Sequence, residues 1–80
     1  MFNNPKYICT KNNEIIVFGA GISHDTFKHL NPVGAGFISF GVNENGNPTC
    51  SCYGDSYSLK LKAREVDTVL AKIQLNINKI

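Results

Sequence analysis

Arginine occurs once in these 80 residues, at Arg64, and charge is sparse: 18% of the chain is charged, eight basic residues against six acidic for a net +2. Duplex nucleic acid draws its affinity from a dense row of Lys and Arg over phosphates, so no duplex partner is expected. Base-edge reading by bidentate arginine is equally undersupplied. A small anion needs only one or two cations and some backbone donors, and stays possible. The N-terminus, MFNNPKYICTKNN, lacks the basic-then-apolar order of a secretion signal, and no apolar run approaches membrane-spanning length. A cytoplasmic protein with no membrane partner is expected. The three cysteines, Cys9, Cys50 and Cys52, are odd in number and suit reduced thiols better than a disulfide framework.

Catalytic and metal motifs are also missing. Cys50 and Cys52 put two thiols on one face of a strand, but zinc sites use C-x₂₋₄-C pairs and no second pair exists. Ser23, His24 and Asp25 are consecutive, so their side chains fan apart around a helix start and cannot form a relay. His24 and His29 read as a surface and a helix-face histidine. The Gly19-Ala20-Gly21 turn has His24 where a dinucleotide-binding turn needs its third glycine. No enzyme, cofactor or metal site is expected.

What is present specifies one domain over residues 1–80, with a loose arm at 1–5 and a fraying tail at 76–80. A chain this short buries only about 60% of its unfolded surface, which favours a homo-oligomer. Tyr7–Thr10 and Ile15–Phe18 are β-branched and aromatic about an Asn-rich turn, a first hairpin. With a two-residue loop, Tyr7, Cys9, Ile16 and Phe18 share one face. Ser23–Leu30 reads as a short helix capped by Ser23, with Phe27 and Leu30 inward and Asn31-Pro32 as its stop. Ala35–Val42 and Pro48–Tyr53 flank Asn45-Gly46, a second hairpin. An even loop sets Cys50 and Cys52 beside Phe37 and Ser39, and Tyr53 beside Ile38; an odd loop reverses this. Ser56–Leu61 reads as extended. Val66, Val69, Leu70 and Ile73 then recur at helical spacing between Arg64 and Leu75. The fold class is α+β: a small antiparallel sheet of two hairpins plus an extended segment, with a short central helix and a C-terminal amphipathic helix on one face.

The richest ligand chemistry lies in Tyr53–Arg64. In an extended strand Ser56, Ser58 and Lys60 share one side, two hydroxyls and a cation spaced about 7 Å apart. Arg64 follows at a helix entry, where free N–H groups attract anions. Tyr53 offers a surface on which a base can stack. Tyr53, Ser56, Ser58, Lys60 and Arg64 are thus the candidate ligand-binding residues, set against the plainer reading of an edge strand with a solvated polar side.

The motifs EIIVF (14–18), ISHDTF (22–27), AGFISF (35–40) and CYGDSYSLKLKAR (52–64), with an acid at Asp67, resemble a group of short proteins encoded by phages and prophages. Related forms often carry Glu at the position of Asp55 and Ser-Arg-Pro at that of Ala63-Arg64-Glu65. The resemblance implies a counter-defence protein. One such mechanism is a sponge, an oligomer that sequesters a cyclic-nucleotide or cyclic ADP-ribose type immune signal without cleaving it. The alternative is direct inhibition of a host defence protein, as anti-CRISPR proteins do, through an edge strand or exposed residues such as Tyr57. A structural role in a mobile element is the third.

Overall fold

The computed structural model describes residues 4–75, so most of the expected N-terminal arm and the whole expected tail lie outside the described residues. Pro5 is already tied down: its carbonyl accepts the Ile38 N–H at 2.9 Å.

The described residues form six strands and two helical segments. β1 (Lys6–Thr10), β2 (Ile15–Phe18), β3 (Pro32–Val42) and β4 (Pro48–Tyr53) form an antiparallel sheet in the order β2-β1-β3-β4. β5 (Asp55–Ser56) and β6 (Leu61–Lys62) form a separate small ladder, and α1 spans Glu65–Gln74. The segment His24–Leu30 is a 3-10 helix broken at Phe27, and the Ser23 side chain makes no capping bond. Asn31 ends it in the left-handed conformation at φ 54°, just ahead of Pro32, as the sequence indicates. The architecture is α+β.

Both hairpin registers differ from the even-loop expectation, for one shared reason. Thr10 pairs with Glu14 around a three-residue loop, closed by the Asn13 N–H to Thr10 carbonyl bond at 2.9 Å, and Asn13 adopts φ 67°. Asn43 pairs with Asn47 around a second three-residue loop, closed by Gly46 N–H to Asn43 carbonyl at 2.9 Å, with Gly46 at φ 79°. In each, a side chain at the loop base gathers two backbone N–H groups: Thr10 Oγ1 takes those of Asn12 and Glu14, Asn43 Oδ1 those of Asn45 and Asn47. A type I turn followed by a left-handed residue is a common odd hairpin loop, and an odd loop inverts which side chains share a face. Tyr7 therefore pairs with Val17, and Ile38 with Cys52.

The helices, expected on one face, lie on opposite faces. Alternate residues of β1 are apolar both ways, so both faces need cover. Tyr7, Cys9, Ile38 and Cys50 pack under α1 through Ala71, with Cys52 and Leu70 beside them. Ile8, Phe18 and Ala35 pack under the 3-10 segment through Phe27 and Leu30, together with Leu59 and Leu61 from the β5–β6 unit. His24, expected at the surface, is buried between Phe18 and Phe37, both ring pairs edge-on, and its Nε2 bonds the Gly36 carbonyl at 2.8 Å. Since a carbonyl only accepts, Nε2 carries the proton.

Candidate functional site

The segment after β4 does not run straight. Gly54, at φ 75°, turns the chain away from β3, and its carbonyl takes the Ala63 N–H at 2.9 Å. Between those points the chain doubles back, with Ser56 opposite Leu61 and a tight turn over residues 57–60 closed by Lys60 N–H to the Tyr57 carbonyl at 3.3 Å. Leu59 and Leu61 pin the unit to the Ile8–Ala35 cluster. Extended alternation across Ser56–Leu61 is thereby replaced by a hairpin, in which Leu59, from the turn, and Leu61, from the return strand, both pack on the core.

This refolding redistributes the five candidate residues. Ser56 is buried, and its Oγ accepts the Leu59 N–H at 3.3 Å and lies 3.5 Å from Ser58 Oγ, so both hydroxyls serve the turn. Lys60 and Arg64 line a shallow groove of about 660 Å³ with Val33, Asp55, Ser56, Tyr57, Leu61 and Lys62. Tyr53 points elsewhere: it stacks on Phe37 with centroids 5.7 Å apart and helps line a different, mostly apolar groove of about 600 Å³. The structure thus unites Ser56, Lys60 and Arg64, leaves Ser58 at the edge, and separates Tyr53.

Lys60 has a further distinction. Among the described residues four non-glycine residues take positive φ, and three are asparagines; the fourth is Lys60, at φ 57°. The left-handed region costs an ordinary L-residue roughly 1–2 kcal/mol. Next to it, Tyr57 is 96% exposed, an aromatic ring with almost no protein against it. Extended alternation puts Tyr57 on the side of Leu59 and Leu61, although Tyr57 is also the exposed residue named for direct inhibition; the turn parts its ring from the leucines and sets it in one groove with Lys62, which was not among the candidates.

Arg64 is less free than its position suggested. Its Nε and Nη2 donate to Asp67 Oδ1 at 3.0 and 2.7 Å, and Nη2 also lies 3.4 Å from Cys9 Sγ. Its backbone N–H donates to Asp67 Oδ2 at 3.1 Å, capping α1 from its third position. The same oxygen accepts the Tyr7 hydroxyl at 2.5 Å. Asp67 is wholly buried, so this arginine first of all compensates a buried carboxylate. Its bond to Asp67 raises the guanidinium pKa further. Burial, then Asp67, pushes the Tyr7 phenol far above its usual value. Burial raises the Cys9 and Cys50 thiols and lifts Cys52 to about 11, which leaves all three protonated and unreactive near neutrality.

Among the described residues no group of three or more His, Cys, Asp or Glu side chains converges to hold a metal ion. No helix among them is long and apolar enough to cross a membrane. Comparison of the chain with protein-family models, curated proteins and solved structures finds no match to any of the three.

Proposed function

We propose that this chain is a phage-type counter-defence protein that binds a small, anionic, nucleotide-like immune signal in the Asp55–Arg64 groove and sequesters it uncleaved. The observation that carries this reading is Lys60. A turn that glycine or asparagine would close at lower cost instead holds a lysine in the left-handed conformation, at a groove that also carries Lys62, Arg64, the single carboxylate of Asp55 and the bare ring of Tyr57. Locally unfavourable backbone persists where a side chain is needed in one place. Two ammonium groups and an aromatic face are what a phosphate-bearing base requires: charge for the phosphates, a ring for stacking. Arg64 shapes the groove wall while its charge is shared with Asp67. The groove is open on one side, so tight retention would come from a homo-oligomer whose subunits close over the ligand.

The test is native mass spectrometry of protein purified from cells with active nucleotide-based immunity, followed by calorimetric titration with a panel of cyclic oligonucleotides and cyclic ADP-ribose. A nucleotide-sized adduct released intact, with affinity reduced at least tenfold by Tyr57→Ala and by Lys60→Gly, is the expected result. Absence of any adduct and of binding across the panel would overturn the reading and favour direct inhibition of a host protein.

A further inference from the structure

α1 packs Leu70 and Ala71 against the core but turns its three other apolar side chains away from the sheet. The residues it buries completely are Asp67 and Ala71, whereas Val66, Val69 and Ile73 are 47%, 53% and 61% exposed. At 3.6 residues per turn, Val66 and Ile73 lie seven apart along one edge of the outward face, with Val69 between them near its centre. Glu65 and Lys72 also lie seven apart, along the opposite edge.

We infer that this face binds a second copy of the chain, with the two α1 helices antiparallel about a twofold axis. The charge pattern selects both the occupant and its direction. A twofold axis perpendicular to α1, passing midway between Glu65 and Lys72, sets like edges of the two helices together. Glu65 of each copy then meets Lys72 of the other, giving two ion pairs by symmetry. It also brings Val66, Val69 and Ile73 of the two copies into one seam. Parallel packing joins unlike edges and lays the charged edge of one helix on the apolar edge of its partner. Antiparallel packing opposes the helix dipoles favourably as well. The contact is isologous and closes at two copies. One ten-residue helix per copy gives less area than the roughly 800 Å² per partner of a standard interface, so the dimer is weak and concentration-dependent. This surface lies on the other face of the sheet from the β5–β6 unit that carries the groove, so the inference rests on the proposed function only for the expectation of a homo-oligomer, and its test reads mass rather than ligand.

Sedimentation velocity from about 1 μM to about 1 mM should show a monomer–dimer equilibrium in the wild type. Val69→Glu should be monomeric throughout, with unchanged circular dichroism and melting. Glu65→Lys and Lys72→Glu should each weaken association roughly threefold to tenfold. The double swap should restore it. The swapped charges are the less favourable ones for α1 itself, so recovery reports contact between copies. A wild type that stays monomeric, a dimer indifferent to Val69→Glu, or a double variant no better than the two singles would overturn the inference. So would a Val69→Glu protein destabilised as a monomer, because the face would then be covered by its own chain.

Discussion

The Tyr7 hydroxyl lies 2.5 Å from Asp67 Oδ2, and neither residue exposes any surface. Sixty positions separate them. The bond ties β1, at the centre of the sheet, to the first turn of the last helix, with Arg64 completing the carboxylate's partners. Tyr7→Phe removes one donor and should lower stability by about 1–3 kcal/mol. Asp67→Asn disrupts the Arg64 pairing and should cost more, about 3–5 kcal/mol. Urea titration monitored by circular dichroism measures both.

Arg64→Ala tests how much of this arginine is structural. It uncovers a buried carboxylate, so a loss of about 1–3 kcal/mol is expected in ligand-free protein. An arginine that served only a ligand could be removed with the fold intact; the Asp67 pairing makes stability the first casualty. A denaturation midpoint equal to wild type would show that Asp67 has adequate partners without it.

Stability should fall in alkaline solution. Burial raises the pKa of the three thiols and the Tyr7 phenol in the folded state, so on raising pH the unfolded chain ionises first. Above the unfolded value the folded state binds more protons, and the equilibrium shifts toward unfolding as pH rises. For Cys52 this window runs from 9.0 to about 11. For Tyr7 it opens near 10 and extends beyond. Melting temperature should be level between about pH 6 and 8 and decline above about 9. Cys52→Ser should flatten the first part of that decline. A melting temperature rising through this range would contradict the assignment.

Gly34 is where the sheet admits the Arg64–Asp67 pair. A Cβ there would meet the Asp67 carboxylate and come within 2.9 Å of Arg64 Nε, whereas one at Gly41 would meet nothing within 4 Å. Gly34→Ala should therefore destabilise by about 1–3 kcal/mol. Gly41→Ala should be neutral or slightly stabilising. Equal effects at the two positions would mean that the pair has room to shift.

Lys60→Gly should separate stability from binding. Relief of the left-handed lysine should leave the protein as stable as wild type or up to about 1 kcal/mol more so. A clear loss of stability would show that the lysine side chain supports the fold.

Most elements were legible in the sequence because their signals are local. The β-branched runs, the Asn-Gly turn, the Asn31-Pro32 stop and the helical period after Arg64 all stand where the structure has them. What was not legible depends on parity and on tertiary choice. Asn13 and Gly46 each close an odd loop, and one residue of loop length reverses a whole strand's faces, which moved Cys50, Cys52 and Tyr53 together. Of the Val66-Val69-Leu70-Ile73 repeat that marks α1, Leu70 alone packs beside the core; the sheet takes the Asp67–Ala71 side because a carboxylate with Tyr7 and Arg64 for partners is satisfied there. Of the candidate residues, Ser56, Lys60 and Arg64 line one groove and Tyr53 another. Tyr57 and Lys62 join the first three in their groove because the chain turns over residues 57–60.

The span between Tyr7 and Asp67 also bears on how the chain is made. A polypeptide leaving the ribosome N-terminus first presents β1 long before the acceptor of its tyrosine has been synthesised. Until α1 arrives, the Tyr7–Cys9 face of the nascent sheet has no cover, and both of its sides are apolar. The first hairpin is thus exposed to wrong pairing until the sixty residues from Tyr7 to Asp67 have been made, and α1 is the element that ends that exposure.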